Sequence, residues 1–296
     1  MSASTGPTPG LPVRMPRPRQ PGRHRRPEPV TAPDGAPALV LAVPGVPSDT
    51  SRRLAEEVIS IARSELPGLD AWIGYAESRD EEFPPLQEVL ARAAAERGDA
   101  AADQPAAVVV PLLAGPDSSQ LRIIRQAVLA SGSGAELTDV LGPHPLLAEA
   151  VHVRLSEAGL ARADRARLFT VATAADGIVL ATVGGDEAVQ AAGITGMLLS
   201  ARLAVPVLAA ALDEAGAIAG AARQLLESGS TQLALAPCLI GPEISEGLLA
   251  AAAEEAGCPA AEPLGAYPGL GKLVVAAYSA KLGLPQRPQE GASPAR

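Results

Sequence analysis

From Ala38 onward the apolar positions alternate between two rhythms. Ala38-Leu39-Val40-Leu41-Ala42-Val43 is a continuous apolar run, and Pro44-Gly45-Val46-Pro47 stops it. Ser48, Asp49, Thr50 and Ser51 then offer N-caps ahead of Leu54, Val58, Ile59 and Ile61, which recur at helical spacing. The pattern predicts a buried strand, a glycine turn and a capped helix. It continues along the chain, predicting strands at 38–43, 69–76, 106–113 and 136–141 and helices at 49–65, 85–97, 117–130 and 145–158. Pro67-Gly68 and Arg97-Gly98 punctuate helix ends, and residues 99–104 read as a polar loop. Such alternation is the signature of βα units and a mainly parallel sheet. Ligands of these sheets sit beyond the carboxyl ends of the strands, so the turn at 44–49 is expected to line a site.

The pattern then runs a second time. Ile178-Val179-Leu180-Ala181-Thr182-Val183-Gly184-Gly185-Asp186 repeats the strand, glycine turn and acidic cap of 39–49. Pro237-Cys238-Leu239-Ile240-Gly241-Pro242-Glu243 aligns at constant offset with Pro111-Leu112-Leu113-Ala114-Gly115-Pro116-Asp117, and Leu264-Gly265-Ala266-Tyr267-Pro268 with Leu141-Gly142-Pro143-His144-Pro145. Three matches in the same order imply an internal duplication. The expected architecture is α/β, with two similar domains at 38–160 and 177–284. Each is expected to hold a four-stranded, mainly parallel sheet flanked by helices, and the two to face each other across a cleft. Strands of the second half are expected near 177–183, 205–211, 231–237 and 260–264. Residues 161–176 read as an Arg-rich linker, 1–37 as a disordered Pro/Arg-rich tail and 285–296 as a second polar tail.

Composition narrows the function classes. The 296 residues include 47% apolar ones, with a mean hydropathy of +0.17, enough for real cores. Aromatics make up 2%, so no platform for stacking bases exists, and a net charge of -9 argues against a phosphate-backbone partner. The tail concentrates ten prolines and six arginines against two acids, leaving about -13 on the rest of the chain. The most apolar stretch, 197–212, is interrupted by Arg202 and Pro206, so no membrane span is expected. With no secretory h-region visible, the expected location is the cytoplasm. Cys238 and Cys258 are too few for a zinc site and read as small buried thiols.

Familiar catalytic motifs are missing. The glycines at 45 and 184–185 lack dinucleotide spacing, no Gly-Lys-Ser/Thr occurs, and Ser131-Gly132-Ser133-Gly134 reads as a polar helix end. Asp117 and Glu243 follow Gly-Pro corners where an acid complements a helix dipole. His24, between arginines, makes a poor ligand. His144, between Pro143 and Pro145, sits on a loop that can reach a ligand, and His152, about two turns further on, reads as a core or surface residue.

The series 39–49, Ala76-Glu77 ahead of Pro84-Pro85-Leu86, Val108-Val109-Val110-Pro111-Leu112-Leu113, 141–147 and 263–268 resembles the sirohydrochlorin chelatase family in its duplicated two-domain form. These enzymes insert cobalt or iron into a tetrapyrrole in cobalamin or siroheme synthesis. The resemblance spans residues 38 to about 282 and breaks at the family's metal ligands. Pro44 stands where the family has the histidine of His-Gly-Ser, and Ser119 falls at about the position of a second histidine. The family's acid after the second strand is retained as Glu77. Neutral imidazole binds first-row metals well and accepts protons near neutral pH, whereas proline has no donor and serine is a poor ligand and weak base.

The expected function is therefore a chelatase-like protein with weak or lost metal insertion, able to bind a tetrapyrrole of the sirohydrochlorin or precorrin type. Glu77 and His144 are the candidate catalytic residues, and Pro44, Gly45, Ser119 and Gly142 the candidate substrate contacts. Co2+ or Fe2+ enters only with retained family activity. Two alternatives stand beside this reading: an active chelatase using Glu77 and His144, and a non-catalytic interaction protein recruited through its tail.

Overall fold

The computed structural model describes residues 31–98, 104–161, 174–241, 243–244 and 247–284. Residues 1–30 of the tail expected at 1–37, 162–173 of the linker expected at 161–176, 99–103 of the loop expected at 99–104 and the tail from 285 lie outside the described residues, as do His24 and Pro242. The first half runs β1 (Ala38–Val43), α1 (Asp49–Glu65), β2 (Ala71–Tyr75), α2 (Leu86–Arg97), β3 (Ala107–Pro111), α3 (Ser118–Ala130), β4 (Glu136–Leu137) and α4 (Pro145–Glu157). The second runs β5 (Gly177–Thr182), α5 (Gly185–Leu203), β6 (Val207–Ala211), α6 (Ala217–Glu227), β7 (Leu233–Pro237), α7 (Leu248–Ala256) and α8 (Pro268–Lys281).

Both sheets are parallel, in the orders β2-β1-β3-β4 and β6-β5-β7. The duplication is structural as well as sequential. Ala42 pairs with Pro111 in the first sheet as Ala181 pairs with Pro237 in the second. The chain beyond keeps step: Leu112 N–H donates to Ala42 O at 2.9 Å and Cys238 N–H to Ala181 O at 2.8 Å. The expected fourth strand of the second half shrinks to a single bridge between Leu235 and Ala260. Pro259 and Pro263 flank that bridge and carry no N–H for a ladder.

Strand alternation decides where each face packs. Leu39, Leu41 and Val43 of β1 enter the same core as Ile178 and Leu180 of β5, whereas Val40 and Ala42 pack with α2 and α3, and Val179 and Ala181 with α6 and α7. The shared core is built by exchange of the last helices. α4, which closes the first half, packs on α5 and β7, and α8, which closes the second, packs on α1 and β3. Gly271 allows α8 to lie close on α1, because a Cβ there would stand 2.4 Å from Ile61 Cγ2. Polar ties follow the exchange. Arg154 on α4 donates to Leu264 O from Nε at 3.1 Å and from Nη2 at 2.7 Å. Tyr267 donates to Glu149 at 2.7 Å, and buried Tyr278 on α8 to Pro37 O, ahead of β1, at 2.7 Å.

Candidate functional site

Parallel strands gather their carboxyl-terminal loops at one end, so the loops after β1, β2, β3 and β4 form a single surface. The first is fixed by a capping box: Ser51 N–H donates to Ser48 Oγ at 3.1 Å and Ser48 N–H to Ser51 Oγ at 2.9 Å. Arg52, one residue further along α1, ties down the acidic loop after β2, pairing with Asp49 and, at 3.3 Å, with Glu82. Its guanidinium also lies 5.1 Å from the Phe83 ring centroid.

Gln120 joins two of the expected site residues. Its Oε1 accepts from Gly45 N–H at 3.1 Å, and its Nε2 donates to Glu77 Oε1 at 2.8 Å. The loops after β1 and β2 are thereby both tied to the first turn of α3. The sequence reading missed Gln120, although its place three residues after the acid at 117, inside the first turn of a helix facing the strand ends, was a usable signal. Asp117 caps α3 as expected of an acid at that corner. Its Oδ1 accepts from Ser119 N–H at 2.9 Å, Gln120 N–H at 3.1 Å and Ser119 Oγ at 2.7 Å. The Ser119 hydroxyl is exposed but spent on that carboxylate.

Pro44 is buried at the end of β1 and presents nothing to the surface. Gly142, ahead of a cis Gly142-Pro143 bond, lies against the loop after β3, where a Cβ would stand 2.3 Å from Ala114 O. His144 caps α4, its Nδ1 accepting from Leu146 N–H at 3.1 Å. In the neutral ring that contact places the proton on Nε2, leaving no free lone pair for a metal or a substrate proton. Burial pushes the His144 pKa down, favouring this neutral, capping form. Glu77 and His144 follow strands at opposite edges of the sheet. Three strand spacings, about 14 Å, separate those edges. Among the described residues no group of three or more His, Cys, Asp or Glu could hold a metal ion.

The second half meets this surface directly. Gly184, at φ 114°, packs so closely on the loop after β3 that a Cβ would stand 2.7 Å from Pro116 O and 2.9 Å from Asp117 Cα. Gly241 lies over Leu54 of α1. Glu243 does not open a helix as its sequence context suggested, since α7 begins at Leu248 with Gly247 as its cap. Its carboxylate instead turns inward and accepts from Ile240 N–H at 2.9 Å and Gly241 N–H at 2.6 Å. Burial raises its pKa, and backbone hydrogen bonds, including one from Ala114 of the first half, oppose that rise. Buried Cys238, whose thiol is pushed up to about 12 by desolvation, is an inert core residue.

His152 is buried and accepts from Arg202 Nε at 2.8 Å across the α4–α5 contact, as expected of a core histidine. Among the described residues no helix is long and apolar enough to cross a membrane.

No family model matches the sequence, and no curated relative matches it. Solved structures do. The chain is similar to the sirohydrochlorin chelatase SirB from Bacillus subtilis subspecies spizizenii in complex with cobalt, with a TM-score of 0.57 and 13% identity over 82% of this chain and 94% of that one. It is also similar to CbiX, described as the terminal enzyme for biosynthesis of siroheme in denitrifying bacteria, with a TM-score of 0.53 and 20% identity over 83% of this chain and 99% of that one. At such identities the likeness is one of architecture, and it covers both sheets. The chain has the two-sheet α/β fold of the sirohydrochlorin chelatases.

Proposed function

We propose that this chain is a chelatase-like tetrapyrrole-binding protein of the cytoplasm in which metal insertion is lost or severely weakened. The observation that carries this reading is Pro44, a buried residue without a donor where the resemblance places a metal-binding imidazole. Metal insertion needs a donor that holds the divalent metal substrate beside the ring and a base that accepts the pyrrole protons. Ser119 gives its hydroxyl proton to Asp117, Glu77 is held by Gln120, and His144 is committed to its helix, so neither task has a free imidazole on these loops. What remains is a polar rim of Gly45, Glu77, Ser119, Gln120 and Gly142 suited to a tetrapyrrole of the sirohydrochlorin or precorrin type.

In this reading residues 38–160 and 177–284 are the two ancestral repeats, 161–176 the connection, and 1–37 and 285–296 appended tails. An active chelatase built on Glu77 and His144 is the weaker alternative, because the sheet order sets those residues at opposite edges. Spectral titration with sirohydrochlorin tests the binding claim. A shifted absorption spectrum at micromolar protein is expected, and an unperturbed spectrum would end it.

A further inference from the structure

We infer that the outer face of α5 is the contact surface for a second copy of this chain, paired antiparallel about a two-fold axis at Ile194. Among the described residues, Ile194 at 45%, Met197 at 66% and Leu198 at 38% exposure cluster on this one helix, while other exposed large apolar side chains stand apart at Val46, Leu129 and Leu226. The face is not left over from core packing. Ala188, Ala192, Thr195, Gly196 and Leu199 already bury the opposite side against the sheet.

The exposed positions Glu187, Gln190, Ile194, Met197 and Ala201 recur at alternating spacings of three and four, the seam by which one helix seats on another. Between Glu187 and Arg202 the helix carries no charge. Gly193, next to Ile194, has open space where a Cβ would stand, leaving room for a partner's side chain.

Charge selects the occupant and its direction. Asp186 and Glu187 lie in the first turn, and Arg202, whose Nε also donates to His152, carries its positive charge in the last. Asp186 and Arg202 are equally distant from Ile194 along the helix, as are Glu187 and Ala201, and Gln190 and Leu198. Two antiparallel copies centred on Ile194 therefore set each acidic first turn beside the partner's basic last turn, with the helix dipoles opposed. A parallel pair would set acid against acid. The antiparallel contact is isologous and closes at two copies. A single helix pair buries less than the roughly 800 Å² per partner of a standard interface, so the dimer is expected to be reversible.

Sedimentation velocity of the full chain across micromolar concentrations should show a monomer–dimer equilibrium. Met197→Glu should weaken it about ten-fold or more with thermal stability and circular dichroism unchanged, and Glu187→Arg should weaken it as much with a small loss of stability from the reversed first-turn charge. Ile194→Cys should give a disulfide-linked dimer under mild oxidation, because the axis brings the two positions together, whereas Leu129→Cys, exposed elsewhere, should not. A chain that stays monomeric and whose I194C variant does not cross-link would overturn the inference, whether residues 162–173 or a different protein covers the stripe. A dimer unaffected by Met197→Glu would overturn it equally.

Discussion

Gln120 donates its side-chain amide to Glu77 at 2.8 Å while accepting from the backbone of Gly45 at 3.1 Å, so one residue of α3 fixes the loops that follow both β1 and β2. One oxygen of the exposed Glu77 carboxylate is thus held by a neighbour. Gln120→Ala should lower stability by about 1 kcal/mol, the net worth of such hydrogen bonds. It should also weaken sirohydrochlorin binding, because both loops lose their tie. Chemical denaturation and spectral titration of the same variant check the two effects.

His144 caps α4 through Nδ1, which accepts from Leu146 N–H. His144→Ala should cost about 1 kcal/mol as a lost N-cap, and His144→Asn, which can cap, should restore most of it while leaving tetrapyrrole binding unchanged. Because burial depresses the folded-state pKa below the ordinary 6.5, His144 contributes stability above pH 6.5 that is lost as the pH falls through the folded value. Denaturation midpoints between pH 5 and 8 should show this loss in the wild type and a flatter profile in His144→Asn.

Gly184 and Gly185 are neighbours with unequal constraints. A methyl at Gly184 meets the backbone of Pro116 and Asp117, whereas one at Gly185 meets nothing within 4 Å, although both have positive φ. Gly184→Ala should cost more than about 2 kcal/mol and loosen the contact between the halves, while Gly185→Ala should cost only the strain of about 1 kcal/mol. Calorimetry of the two variants distinguishes them.

Tyr278 is buried at the join of α8 and β1, and burial raises its pKa from 10.0 to about 12. The folded state holds that proton longer than the unfolded one. Its contribution to stability is therefore complete below pH 10.0 and lost as the pH rises towards about 12. Tyr278→Phe should remove this alkaline loss and lower stability at neutral pH by about 1–2 kcal/mol, since Pro37 O loses its donor. Urea midpoints from pH 8 to 11 measure both.

Local signals carried most of the fold. β1 matches its expected bounds because Pro44-Gly45 ends a purely apolar run, and α1 does so because Ser48 and Ser51 form a box visible in the sequence. The repeat was legible because Pro111 and Pro237 close equivalent strands. β4 was overestimated. Thr138 Oγ1 donates to the carbonyl of Asp139, and regular pairing ends at Leu137, although Leu141 N–H still reaches Leu113 O. The exchange of α4 and α8 was not legible, because each helix has the same apolar pattern whichever sheet it covers. Nor was the inward turn of Glu243, since its partners are backbone groups on loops whose approach depends on the whole fold. Of the site, Gly45 could be named from the end of its strand and Glu77 only from the family resemblance, and their connection through Gln120 required the geometry of two loops and the start of α3.

The rate of cobalt insertion into sirohydrochlorin by the purified chain tests the central claim most directly. A rate indistinguishable from the spontaneous one, in a protein whose spectral titration shows the tetrapyrrole bound, is the predicted result. Acceleration above the spontaneous rate that disappears in Glu77→Gln would contradict it, because Glu77 would then serve metal insertion without the imidazoles of the chelatase pattern.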